Sequence, residues 1–238
     1  ARSMIVCFLL TRFVTFKEIL LHPIITDFND RKLSKRLGNS FDPLVIVEGY
    51  SKTDIVGNLT QFANSNKKDL KKLIKAFETK FPKGFNELGA DVFRLFFLKK
   101  LGTNENFTLN NLAEIDNEKK YVGKIYQLVK KILAELDVES NEYDNNDFTV
   151  KYVYDKWILN KLNELTKNMN ISLQNKDFSK AVESLNDFWL DDLDRSYFNI
   201  IKNKLLSLPE GDLDRVNSKK ILYYICETTL RLYYPLAP

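Results

Sequence analysis

Along residues 1–26 apolar runs alternate with turn signals, and no helical period survives for long. Residues 1–10 predict the end of a buried helix, and 17–25 a buried strand with Pro23 marking irregularity near its end. The polar turn Asp27-Phe28-Asn29-Asp30 follows. Arg31-Lys32-Leu33-Ser34-Lys35-Arg36 then packs four cations into six residues, before the turn pair Gly38-Asn39. Asp42-Pro43 has the order of a helix start, an N-cap acid followed by a first-position proline. The stripe Leu70, Leu73, Ile74, Phe77 predicts a helix whose other face is lysine, broken by Phe81-Pro82-Lys83-Gly84.

From Ala90 the pattern becomes helical almost to the end. Segments are expected at 90–101 and about 111–136, the latter carrying Leu112, Ile115, Tyr121, Ile125, Leu128, Val129 and Ile132. After an acidic, Asn-rich loop at 139–147, three more are expected near 151–170, 179–206 and 214–234. Asp177 or Ser179 and Asp212 or Asp214 are candidate caps. Lengths near twenty residues with short connections describe an antiparallel bundle. The expected fold is mostly α, a helix bundle preceded by a small α/β start.

Composition narrows the function classes only slightly. The 238 residues hold 36 Lys and Arg against 32 Asp and Glu, a net charge of +4 that permits nucleic-acid binding without demanding it. Eleven Tyr and seventeen Phe make aromatic packing a large part of the core. Cys7 and Cys226 lie far apart in apolar runs, with no partner at metal-ligand spacing. They read as buried free thiols in a reducing compartment, and no metal site is expected. No apolar stretch reaches the length of a membrane span, so no membrane partner is expected. The chain begins at Ala1, without an initiator Met, and reads as a segment of a longer, cytoplasmic protein.

The stretch 31–43 is the candidate for chemistry. A cationic loop at the carboxyl end of a strand lies where open α/β sheets bind ligands, and lysines there can stabilise charge developing on a polyphosphate. Lys32-Leu33-Ser34-Lys35-Arg36 resembles the lysine-methionine-serine-lysine-serine signature of the class I aminoacyl-tRNA synthetases. Leu37-Gly38-Asn39 and Asp42-Pro43-Leu44 follow where that family has them. Residues 81–85 and Gly89-Ala90-Asp91-Val92-Phe93-Arg94 resemble the joint between catalytic and anticodon domains in the valyl members, and the insert at 50–80 is similar to their eukaryotic type. Residues 155–162, Phe188-Trp189-Leu190 and Leu230-Arg231-Leu232 resemble the anticodon-binding domain of the subclass.

The resemblance implies three regions. Residues 1–41 would end a Rossmann-like nucleotide-binding domain, 42–100 form a connecting stem-contact subdomain, and 101–238 a helical anticodon-binding domain. It implies ATP-dependent activation of valine and its transfer to tRNA(Val), with Mg²⁺ accompanying ATP in the complete enzyme, no tightly bound cofactor and no DNA partner. Lys35 would stabilise the triphosphate in the transition state with Lys32 supporting it, Ser34 would shape the loop, and Arg36 could add a phosphate contact. Arg36 departs from the family's serine, and Val45 stands where an acid is frequent. The alternatives are a sister enzyme for isoleucine, leucine or methionine, or a non-catalytic helical RNA-binding scaffold with a degenerate loop.

Other residues have milder readings. His22, the single histidine, is expected to be structural, since displacement on phosphorus by an ionised carboxylate needs no base. Trp157 and Trp189 could stack on bases but sit in apolar stripes, which favours core packing. Lys119, Lys120, Lys124, Lys130 and Lys131 form basic faces of one helix, and some are expected to touch RNA phosphates. Asp191, Asp192 and Asp194 fall on different faces, which points to salt bridging rather than to a metal.

Overall fold

A computed structural model describes residues 2–14, 16–34, 39–40, 42–51, 53–54, 57, 67–101, 106–136 and 147–238. Helix α1 (Arg2–Thr11) forms as expected but is not buried. It contributes no core residue among those described, and Ile5, Leu9 and Leu10 face outward, as do Phe13 and Val14 after it. Cys7 is correspondingly half-exposed rather than buried. The expected strand at 17–25 shrinks to β1 (Ile25–Thr26), and 18–22 are exposed. An apolar run predicts burial only where a second layer covers it, and among the described residues none packs over this one. Lys176, just past the end of a helix of the bundle, ties the segment down through an ion pair with Glu18.

Helix α2 (Leu44–Val47) follows Pro43 as its N-cap residue, one position later than expected. Asp42 still serves it, because Oδ1 accepts from Leu44 N at 3.0 Å. Helix α3 (Lys67–Lys80) is longer than the apolar stripe suggested, and Phe81 to Gly84 end it, with Gly84 at φ 78°. Tyr50 and Phe85 then bridge antiparallel. Gly49 allows this approach, since it has positive φ and any Cβ there would meet the Glu87 backbone. Helix α4 (Ala90–Leu101) matches its sequence bounds. Strand β2 (Phe107–Thr108) pairs in parallel with β1, Ile25 opposite Phe107 and Thr26 opposite Thr108.

Thr108 starts a 3-10 segment (Leu109–Glu114) with a reciprocal cap, its hydroxyl accepting from Asn110 N while Asn111 Oδ1 accepts from Thr108 N. Helix α5 (Ile115–Glu135) continues from it, so the single helix expected at 111–136 begins as a tighter turn. Residues 137–146, nearly all of the acidic loop, lie outside the described residues. Helices α6 (Val153–Gln174), α7 (Phe178–Asp187), α8 (Asn199–Ser207) and α9 (Leu213–Tyr233) complete the bundle. Asp177 caps α7 and Asp212 caps α9 through backbone N–H groups. Between α7 and α8, residues 188–198 wind as a π-helix, so the one long helix expected at 179–206 is an α–π–α rod. The wider π ring is visible in Ser196 Oγ, which donates to Asp191 O five residues back at 2.8 Å.

The apolar positions collect into two cores. One joins Val45, Ile46, Phe77, Phe85, Leu88, Val92, Phe96, Phe107, Leu109, Leu112 and Ile115, much of it phenylalanine in edge-on and tilted pairs. The other lies inside the bundle, around Ile158, Met169, Leu185, Trp189, Tyr197, Ile201 and Ile225. Helix α4 supplies both, Phe96 to the first and Leu95 to the second. Val45, in the position where an acid is frequent, is a core residue. Trp189 is fully buried, and Trp157 packs half-buried against the same core.

Candidate functional site

The cationic stretch grows out of a hairpin clasped at its base by one buried carboxylate. After β1 the chain turns at Asp27–Asp30, where Asp30 takes φ 58°, and returns so that Lys32 bridges Thr26 and Leu33 N donates to Ile25 O. Asp27 is wholly buried and its carboxylate accepts four hydrogen bonds. Asn29 N and Arg31 N donate to Oδ1 at 2.9 and 3.0 Å, and Arg31 Nε and Asn39 Nδ2 to Oδ2 at 3.0 Å each. Burial alone would raise its pKa. The hydrogen bonds from Asn39, Asn29 and Arg31 and the guanidinium charge outweigh it and hold the carboxyl below its ordinary 3.8.

Asn39 closes the clasp from the other side. Its Oδ1 accepts from Ser34 N at 2.8 Å, while Nδ2 also reaches Lys32 O at 3.1 Å. Ser34 and Asn39 therefore bracket the four residues between them. Lys32 stands exposed at the rim and Ser34 is half-buried. Lys35 and Arg36 lie outside the described residues, as do Leu37 and Gly38. Sequence reading singled out the lysines and missed the clasp. Asp27 and Asn39 looked like ordinary turn residues, and only their spacing of twelve, closed by a hydrogen bond, makes them a pair.

Removing this carboxylate has a definite expected result. Asp27→Ala removes the acceptor of four hydrogen bonds and costs about 2–3 kcal/mol of stability, discounted for the partly exposed Arg31. Because the folded pKa is depressed, the contribution is present at neutral pH and fades only as pH falls through that lowered value. Urea titrations of both proteins check this: equal midpoints at pH 7, or a difference that persists unchanged into strong acid, contradict it.

The five lysines of α5 fall into two stripes. At 100° per residue, Lys120, Lys124 and Lys131 align with Gln127, while Lys119 and Lys130 align with Tyr126 about a third of a turn away. Lys119 Nζ donates to Glu87 O at 2.5 Å, and Lys130 lies 5.9 Å from the Tyr126 ring centre. Lys120 and Lys124 line a cleft of about 430 Å³ between α4 and α5, whose opposite wall brings Lys99 and Lys100. Sequence reading did not find those two, because they belong to a different helix.

The remaining candidates resolve quietly. His22 is exposed, with Nδ1 2.9 Å from Pro23 O and no acid–base partner among the described residues. Asp191 pairs with Arg195 at 2.5 Å. Burial raises the Asp192 carboxyl, and the described residues contain no group of three side chains able to hold a metal. No helix among them is long and apolar enough to cross a membrane. Burial pushes the Cys226 thiol up to about 11, so it packs as an inert apolar group.

Comparison with known proteins gives the hairpin and the last four helices a family. Residues 1–108 match the model of the class I tRNA synthetases for isoleucine, leucine, methionine and valine, and residues 155–238 that of the anticodon-binding domain of tRNA ligases. The valine–tRNA ligase of Schizosaccharomyces pombe is 28% identical over 240 residues, covering 100% of this chain and 24% of the relative. That of Caenorhabditis elegans is 30% identical over 231 residues, 96% of this chain and 22% of the relative. A probable mitochondrial valine–tRNA ligase of Dictyostelium discoideum is 31% identical over 241 residues, 94% and 23%. The chain thus spans about a quarter of the length of the curated relatives it matches. Among solved structures, the LeuRS of Agrobacterium radiobacter K84, in a ternary complex with tRNA and LeuAMS, shares the fold. Its TM-score is 0.58 at 18% identity, over 99% of this chain and 23% of that one. A synthetase match over the clasped hairpin and an anticodon-domain match over the bundle stand in the order the motifs predict, and the chain belongs to the class I tRNA synthetases.

Proposed function

We propose that this chain serves in a valine–tRNA ligase, presenting the ATP loop on its clasped hairpin and holding tRNA(Val) on its helical part. The observation that carries the reading is the Asp27–Asn39 clasp, which fixes both ends of the lysine segment in a chain similar throughout to valine–tRNA ligases. Lys32 and Lys35 are the groups assigned to the triphosphate. Their role is to neutralise charge as valine displaces pyrophosphate, and Ser34, with Arg36, shapes the approach. Mg²⁺ is assigned to the nucleotide, whose phosphates would carry it in the complete enzyme.

On this reading residues 1–41 close the nucleotide-binding domain, 42–100 connect, and 101–238 bind the anticodon arm. Free cysteines suit a reducing compartment such as the cytoplasm. Valine is favoured over isoleucine, leucine and methionine because the similar curated ligases named above are all specific for valine. The test is binding of a tRNA(Val) transcript to the 238-residue chain over a salt series. Affinity is expected to fall steeply as salt rises, with a log–log slope of about −3 or steeper, as phosphate contacts release counterions. Binding indifferent to salt, or none at low salt, removes the tRNA reading.

A further inference from the structure

The cleft between α4 and α5 differs from an ordinary solvated lysine face in three ways. It is concave, so cations from two helices converge on one volume instead of diverging into water. Its acids are already committed: Glu114 accepts from Lys100 at 2.5 Å, and Glu118 stands 3.7 Å from Lys99. Lys120 and Lys124 have no carboxylate partner among the described residues, which leaves the cleft with net positive charge.

Its floor is also built. Glu118 is buried, and its Oε1 accepts from Asn186 Nδ2 at 3.2 Å, whose Oδ1 in turn accepts from Tyr233 Oη at 2.7 Å. This buried chain crosses from α9 through α7 to α5 and fixes the carboxylate that orients Lys99. Lys99 also lies 5.6 Å from the Tyr121 ring centre, on the facing wall. Buried polar chains of this kind rigidify what they touch.

We propose that this cleft seats a backbone phosphate of the bound RNA among Lys99, Lys120 and Lys124, and that the strand continues along Gln127 and Lys131. The inference rests on the tRNA reading above and says which surface does the holding. From Lys120 to Lys131 the helix rises about 16 Å, long enough for more than one phosphate. Lysine is a point charge on a flexible stem, suited to tracking phosphates rather than to reading base edges, so the contact supplies affinity without sequence choice. The second stripe is a poor competitor, since Lys119 is engaged with a backbone carbonyl and Lys130 with a tyrosine ring.

Two double variants of the 238-residue chain separate the stripes, Lys120→Ala with Lys124→Ala and Lys119→Ala with Lys130→Ala. All four side chains are exposed, and circular dichroism checks that the folds are unchanged. With a tRNA(Val) transcript as probe, the first pair lowers the log–log salt slope by about 2 and weakens binding about tenfold or more at low salt. The second pair produces less than half of either change. Equal effects from the two pairs, or a first pair that binds like the parent, overturn the cleft while leaving tRNA binding intact. A parent chain that binds no RNA overturns both. Inorganic pyrophosphate is added as a competitor: RNA binding that resists it supports a polymeric ligand, whereas displacement at concentrations comparable to the protein assigns the cleft to a small anion and also overturns the proposal.

Discussion

On the proposed function, replacing Lys35 by alanine in a full-length ligase carrying this chain is expected to slow valyl-adenylate formation by about a hundred- to a thousandfold, the usual loss when one transition-state charge contact is removed. Negative charge grows on the departing pyrophosphate only as the bond to it breaks. A lysine that meets it there acts on the rate more than on ground-state nucleotide affinity. The expected signature is therefore a lower kcat with little change in the KM for ATP, read by ATP–pyrophosphate exchange. On the same proposals affinity for tRNA is expected to stay unchanged, since the hairpin and the α4–α5 cleft are built from different elements. An unchanged exchange rate would withdraw the assignment of Lys35.

The second large effect belongs to the bundle. Trp189→Ala removes the indole at the centre of the larger core, and the expected loss is about 3–5 kcal/mol. Trp189 is fully buried, and its indole N–H has no hydrogen-bond partner among the described residues, so truncation leaves no acceptor stranded and the expected loss is that of the cavity. A shift of the urea midpoint measures the loss. A tryptophan that stacked on an RNA base would instead leave the midpoint nearly in place and weaken tRNA binding alone. A midpoint change worth less than about 1 kcal/mol would contradict the core assignment.

The helical two thirds were legible because the signal was redundant. Stripes such as Ile158, Leu162 and Leu165 repeat over several turns, and Asp177 and Asp212 mark starts by chemistry that only a cap rewards. The π-helix at 188–198 escaped, since three- and four-residue spacing does not distinguish an α-turn from a locally wider one. The amino-terminal apolar runs misled for another reason. Hydrophobicity predicts that a segment wants cover, and the described residues do not supply it to Leu10, Leu20 or Leu21. At the candidate site the lysines were readable as a motif. The clasp was not, because Asp27 and Asn39 meet only once the hairpin closes. The cleft was half readable: Lys120 and Lys124 share a stripe of one helix, but Lys99 and Lys100 reach it from a helix that no local period connects to it.

The parallel pairing of β1 with β2 has a consequence for the order of events during synthesis. Thr26 Oγ1 donates to Phe107 O, 81 positions further along, so the strand at the root of the clasped hairpin finds its lateral neighbour late. The antiparallel bridge to Lys32 is local and can form as soon as the turn leaves the ribosome. The parallel edge must wait until residue 108 has emerged, and closing so long a loop carries an entropic cost that the short bridge avoids. The clasped hairpin is thus assembled before its foundation, and it acquires a fixed footing only when the polypeptide has already passed α4, the helix that serves both cores.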